Sequence, residues 1–279
     1  MSVSIFSDDR IAETSSKGNQ EKWFDKESGL WYKLDQFGYE ALSEALISKL
    51  LEKSEIERKT PFTFVRYEVQ KAIVHGKERV CCVSENFLKS GEEIITLNKL
   101  LSNEIGRPLK LVLSELSSDR KRLSYIGNMT SEITGLDFGR YLAVLFEIDS
   151  VFLNTDRHLN NIAVLYKDGA YDYCPIFDNG AGLLSDIITM RTDIAPQVFV
   201  KSAVSFPFGM TFTRQMSEVR RAFGGDSVLP VFSESEIRCE FEPLVQFYPE
   251  RDRHIISERV LTVITQMQAK ITHHFKTAF

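Results

Sequence analysis

Hydrophobic positions recur along this chain with two different periods, and the switch from one to the other divides it. Short apolar runs dominate the first third. Lys22-Trp23-Phe24 and Leu30-Trp31-Tyr32-Lys33-Leu34 read as two strands joined by a turn over 25–29. Residues 63–74 and 79–84 read as two more, with His75-Gly76-Lys77-Glu78 as the turn between them and Val80-Cys81-Cys82-Val83 as the apolar body of the last. Between these pairs Tyr39, Leu42, Leu46 and Leu50 stand three and four apart, so 39–53 is predicted to be an amphipathic helix, and it carries Glu40 and Glu44. Residues 1–20 hold few large apolar side chains and are expected to be loop-like.

From Ile94 onward the period is helical. Short helices are predicted over 97–103 and 109–116, broken by Gly106-Arg107-Pro108, and the polar run 118–125 reads as a solvated face. Phe138, Leu142, Leu145, Ile148 and Phe152 predict a buried helix. Strand-like runs 162–165 and 171–177 then flank Lys167-Asp168-Gly169-Ala170, a strong hairpin signal. A helix over 211–223 ends at Gly224-Gly225, and Ile256, Val260, Ile264, Met267 and Ile271 predict a long closing helix. The change of period sets a boundary near residue 86, with a sheet-rich unit over 1–86, a helical one over 87–279, and a hinge near Ser84 and Glu85.

Composition narrows the class. With 279 residues, 43% of them hydrophobic and 26% charged, the chain can bury a sizeable core. A net charge of -5 argues against nucleic-acid binding by phosphate neutralisation. Cys81, Cys82, Cys174 and Cys239 have neither zinc spacing nor a disulfide framework, so reduced thiols in a cytoplasmic protein are expected. No apolar run reaches the roughly 18 residues of a membrane span.

The candidate chemistry lies around the hairpin. Asn154-Thr155-Asp156-Arg157-His158-Leu159-Asn160-Asn161 leads into its first strand, and Phe177-Asp178-Asn179-Gly180 follows its second. A turn at Asp168-Gly169 brings Asn161 and Asp178 to one end, within about 7 Å at a rise of about 3.3 Å per residue. Asp156 is one short loop away. Two carboxylates and a carboxamide in one small volume suit Mg²⁺ beside a phosphate. Protein kinases use an Asp that accepts the hydroxyl proton, an Asn five residues later on a metal, and a second Asp at a strand end on metal and phosphates. Asp156, Asn161 and Asp178 reproduce that spacing, although Arg157 follows the first Asp and Phe-Asp-Asn-Gly replaces Asp-Phe-Gly. Kinases also need a strand lysine held by a glutamate of the following helix, which points to Lys33 and to Glu44 or Glu40. Gly18, within Ser15-Ser16-Lys17-Gly18-Asn19, suits either a phosphate-covering loop or an ordinary turn, and the backbone at Ser84 and Glu85 is a candidate for adenine. His158 is expected to hydrogen-bond the loop backbone as a neutral imidazole, Asn160 to face solvent, and Asn154 to brace the loop. Residues 179–201 suit either a substrate-binding segment or a surface loop.

DRHLNN resembles the DRHxxN of phosphatidylinositol kinases. NTDRHLNN, PIFD and FPF together resemble HipA-like kinases more closely. That resemblance implies an α+β, two-lobed protein-kinase-like fold with a small sheet-rich N-lobe and a larger helical C-lobe. It implies ATP and Mg²⁺ as cofactors and a Ser or Thr hydroxyl of a protein or peptide as acceptor. It puts Glu44 on Lys33, with Glu40 in reserve, Asp156 at the acceptor hydroxyl, and Asn161 and Asp178 on the metal. HipA-like toxins have an additional N-terminal subdomain, which 20 residues are too few to form, so a toxin role is not expected. A small-molecule or lipid kinase and a nucleotide-binding pseudokinase are the alternatives.

Overall fold

In the computed structural model, which describes residues 4–5 and 20–277, five strands form the first sheet: β1 (Ser4–Ile5), β2 (Lys22–Asp25), β3 (Leu30–Leu34), β4 (Glu68–Val74) and β5 (Lys77–Glu85). Their order is β1-β4-β5-β3-β2, parallel only between β1 and β4. His75 and Gly76, at φ 51° and 71°, make the tight turn between β4 and β5, a backbone that suits the right-handed twist of the flanking strands. Alternation sorts the two faces. Trp23, Tyr32, Leu34, Val74 and Cys81 form a small core on one side, where the Trp23 and Tyr32 rings stack at 5.3 Å. Val69 and Cys82 point the other way, into the main core.

The helices are α1 (Glu40–Leu51), α2 (Ile56–Lys59), α3 (Leu97–Ile105), α4 (Leu109–Glu115), α5 (Asp119–Thr134), α6 (Phe138–Phe152), α7 (Pro196–Ser202), α8 (Phe212–Phe223), α9 (Glu234–Val245) and α10 (Glu250–Thr277). A second, antiparallel sheet orders β6 (Glu93–Thr96), β7 (Ala163–Lys167) and β8 (Ala170–Tyr173) in sequence. Its hairpin turns at Asp168 and Gly169, both left-handed at φ 49° and 86°. The main core draws on both sides of residue 86, joining Leu42 and Leu46 of α1 to Phe146 of α6 and Ile264 of α10. Among the described residues no helix is long and apolar enough to cross a membrane.

Helix α1 departs from its amphipathic expectation: every residue but Lys49 is buried. The chain beyond residue 86 holds it in place. The Tyr39 hydroxyl donates to the Leu183 carbonyl (2.8 Å) and accepts from Arg259 Nε (3.1 Å). The Leu42 N–H donates to the Tyr248 hydroxyl (3.3 Å), and Ser43 Oγ donates to the carbonyls of Asn179 and Gly182, both at 3.1 Å.

Other boundaries shift for reasons of tertiary pairing. The strand expected from residue 63 begins at Glu68, because 63–65 pairs instead with Ile176: the Val65 N–H donates to the Ile176 carbonyl (2.9 Å) and the Ile176 N–H to that of Thr63 (2.8 Å). The same staple ends β8 at Tyr173 rather than at 177. Ile94 and Ile95 lie in β6 rather than in a helix, since β6 covers the free edge of β7. The polar run 118–125 opens the sixteen-residue α5, whose buried stripe is thin: Leu123, Ile126, Gly127 and Thr130. Ser4–Ile5 is a strand although 1–20 reads as loop; Gly18 and the rest of 15–19 lie outside the described residues.

Candidate active site

Strand alternation turns Lys33 away from the Trp23–Tyr32 core and toward α1. Its Nζ stands 2.6 Å from Glu44 Oε1 and 2.6 Å from Asp178 Oδ1. The second Glu44 oxygen accepts the backbone N–H of Asn179 at 2.8 Å. One fully buried glutamate thus fixes both the lysine and the segment after Asp178. Glu40 does not share this role, because its carboxylate accepts the backbone N–H groups of Phe37 (2.6 Å) and Gly38 (2.9 Å). Burial works against the Lys33 charge, and the Asp178 and Glu44 carboxylates overcome it, holding the ammonium well above its usual range. Burial also opposes ionisation of Asp178, yet the adjacent Lys33 prevails and brings that carboxyl down to about 2.

The loop 154–161 is built on a buried ion pair. Arg157, with no exposed surface, donates from Nε and Nη2 to Asp149 at 3.0–3.1 Å. Its remaining N–H groups reach the carbonyls of Asn161 (3.2 Å) and Phe177 (2.5 Å) and Asn179 Oδ1 (2.6 Å). A single guanidinium therefore ties together both ends of the hairpin, a use of its rigid fork that a lysine could not reproduce. The Asn154 amide braces the loop as expected, donating to Asp149 Oδ1 (3.0 Å) and the Asp178 carbonyl (3.3 Å) and accepting the Asp156 N–H (3.3 Å). His158 departs from expectation. Its Nε2 lies 3.9 Å from Asp156 Oδ2, and its buried Nδ1 has no partner.

These groups open on one cavity of about 840 Å³, lined by Lys22, Lys33, Asp156, Asn161 and Asp178, with Phe37 and Ile188 at its rim. The β7–β8 register, continued past the strand ends, sets Asn161 opposite Ile176, two residues short of Asp178. The Asn161 amide donates to the Asp156 carbonyl at 3.1 Å, which leaves its oxygen as the end a cation can take. Ionised Asp178 and that oxygen are hard donors of the kind Mg²⁺ binds, so this donor set fits the metal. Asp156 is 63% exposed on its side chain. Its carboxyl is raised, first by burial of part of the group and then by Asp178, against the pull of His158.

Ser84 and Glu85 are not brought to this site; they end β5 opposite Trp31 and Leu30 and do not line the cavity. Sequence reasoning missed Lys22, which stands directly opposite Lys33 in the β2–β3 ladder and so shares its face. Burial lowers its pKa, with Asp178 pulling upward and Lys33 downward. The signal was available, since a hairpin closing over 25–29 registers 22 with 33. Segment 179–201 is neither wholly a surface loop nor wholly open: Leu183, Leu184 and Ser185 are completely buried, and Ile188 is exposed.

The fold these parts compose is mixed α/β and similar to that of a solved kinase. The crystal structure of the Helicobacter pylori proinflammatory kinase CtkA matches it with a TM-score of 0.62 at 13% identity, covering 94% of this chain and 92% of that one. The Shewanella oneidensis MR-1 toxin–antitoxin complex of HipA, HipB and operator DNA matches with a TM-score of 0.45 at 10% identity, over 92% of this chain and 65% of the matched one. No protein-family model and no curated protein matches the sequence.

Proposed function

We propose that this chain is a Mg²⁺-dependent kinase that transfers the γ-phosphoryl group of ATP to a Ser or Thr hydroxyl of a protein or peptide. One observation carries the reading: the Lys33 ammonium bridges Glu44 and Asp178 at 2.6 Å each, across a cavity that also holds Asp156 and Asn161. Residues up to about 86 then form a nucleotide-binding lobe and 87–279 a catalytic and substrate lobe. Free, buried Cys81, Cys82 and Cys174 fit a cytoplasmic setting.

In this reading Lys33, steadied by Glu44, holds phosphate oxygens from one side, and Lys22 adds a second positive charge beside it. Asp178 and Asn161 would hold Mg²⁺, which would supply positive charge against the negative charge of the transferring phosphoryl group. Asp156 orients the acceptor hydroxyl and takes its proton as the new O–P bond forms. The bond from the γ-phosphorus to the bridging oxygen breaks, and ADP leaves with that electron pair. A raised Asp156 pKa makes the carboxylate a better proton acceptor.

Transfer of labelled γ-phosphate to Ser- and Thr-containing peptides tests the proposal. Asp156→Asn is expected to lose about 10²–10⁴-fold in turnover with Mg·ATP affinity nearly intact, whereas Asp178→Ala loses affinity as well. An Asp156→Asn protein that phosphorylates at the wild-type rate would end this assignment.

A further inference from the structure

Ile188 stands at the mouth of the cavity with 68% of its surface exposed, and Ile187 beside it is 37% exposed. Three residues earlier, at Ser185, the chain is fully buried; exposure begins at this turn and continues to residue 195. That turn is held firmly. Asp186 Oδ1 accepts the N–H groups of Ile188 (2.8 Å) and Thr189 (3.0 Å), and its Oδ2 accepts the Thr189 hydroxyl (2.6 Å). The Ile187 N–H donates to the Phe37 carbonyl at 3.0 Å, and the Met190 N–H to that of Asp186 at 3.1 Å. Arg259 Nη2 fastens the base from behind, through the carbonyls of Leu184 (2.6 Å) and Met190 (2.8 Å). Close packing completes the mount: a Cβ on Gly38 would stand 2.1 Å from the Ser185 carbonyl oxygen. An aliphatic side chain is thus presented to water in a fixed position, and preorganisation of this kind lowers the entropic cost of binding.

Charge selects the occupant. Among the described residues, the titratable side chains of the cavity other than Lys22 and Lys33 are Glu40, Asp156, His158, Asp178 and Asp186. Four carboxyl groups against two lysines leave that lining net acidic, and Ile188 adds an exposed apolar group to it. A phosphorylated lipid headgroup or a sugar phosphate meets repulsion there, while a neutral or basic peptide segment does not. We infer that Ile188, flanked by Ile187, receives an aliphatic side chain of the acceptor polypeptide near the phosphorylated Ser or Thr. This rests on the kinase reading above.

The test measures kcat/KM on peptides that differ only in the residues flanking the acceptor, Leu or Val against Gly or Asp, for wild type, Ile188→Leu and Ile188→Ser. Mg·ATP binding and acceptor-free ATP hydrolysis are measured in parallel. Wild type and Ile188→Leu are expected to favour aliphatic flanks by about 10–100-fold. Ile188→Ser should lose most of that preference with an unchanged KM for ATP and an unchanged melting temperature. Indifference of the wild type to flanking residues, an equal preference in Ile188→Ser, or phosphorylation of phosphoinositide vesicles in place of peptides overturns the inference while leaving ATP turnover standing. A protein that neither binds Mg·ATP nor turns it over brings down the kinase reading, and this inference with it.

Discussion

The cavity has a floor and a rim, and the two differ in whether a buried ion pair lies beneath them. The floor, 154–161, hangs from a guanidinium and a carboxylate that are both wholly removed from water, with reach into the hairpin and the segment beyond it. The rim, 186–190, is fastened by its own aspartate, by the Phe37 carbonyl and, at its base, by Arg259, which donates there only to backbone carbonyls and a hydroxyl and pairs with no buried carboxylate among the described residues. Floor geometry is therefore inseparable from fold stability, because moving Arg157 strands a buried anion. The rim can change its side chains without that consequence. On the kinase reading, a protein built this way can alter what it accepts while its chemistry stays fixed.

Breaking the floor should have the largest effect. Arg157→Met removes every partner that the guanidinium supplies and leaves Asp149 buried with the Asn154 amide, so a loss of about 3–5 kcal/mol is expected in urea unfolding. A loss under about 1 kcal/mol would show that floor and fold are not coupled. Asp156→Asn, on the exposed part of the same loop, should do the reverse, with the large loss of turnover given above and a melting temperature within a degree or two of wild type.

A pH experiment probes the support behind the Phe37 side of the rim. Asp35, just before the rim backbone at Phe37 and Gly38, accepts the Ala41 N–H (2.6 Å) and the Tyr248 hydroxyl (2.7 Å). Burial, with Glu40 adding to it, raises its carboxyl from 3.8 to about 8. A carboxyl raised on folding stabilises fully below its unfolded pKa, and that contribution is lost as pH climbs to the folded value. Stability attributable to Asp35 thus declines between pH 4 and 8. Asp35→Asn, which mimics the protonated form, should flatten that part of the melting-temperature profile; parallel wild-type and variant curves would refute it. Least disturbing of all, Ile188→Ser is expected to fall within about 0.5 kcal/mol of wild-type stability.

What could be read from the sequence follows the range of the forces involved. The Asp168-Gly169 turn needs two left-handed residues in succession, and few pairs other than Asp-Gly supply them, so the hairpin was legible. Helix α6 was legible because its buried residues repeat along one short stretch. Strand β6 was not, since what makes it a strand is β7, almost seventy residues later. Arg157 was passed over as a departure from a motif, because burial of an arginine depends on an aspartate eight residues back whose own burial no local pattern announces. The exposed isoleucines were invisible for the opposite reason: a chain read for its core assumes that such side chains lie inside.

The anchoring of α1 also bears on inhibitor chemistry. On the kinase reading, selectivity would be gained by prising α1 off Lys33 and filling the gap that opens behind it. Here such a compound would have to tear Tyr39 from Arg259 and Leu183, Leu42 from Tyr248, and Ser43 from two carbonyls before any gap appeared. A selective ligand has to work from the front, with cationic groups for the carboxylates and a greasy arm for Ile188, and so would be recognised by the rim rather than by a hidden compartment.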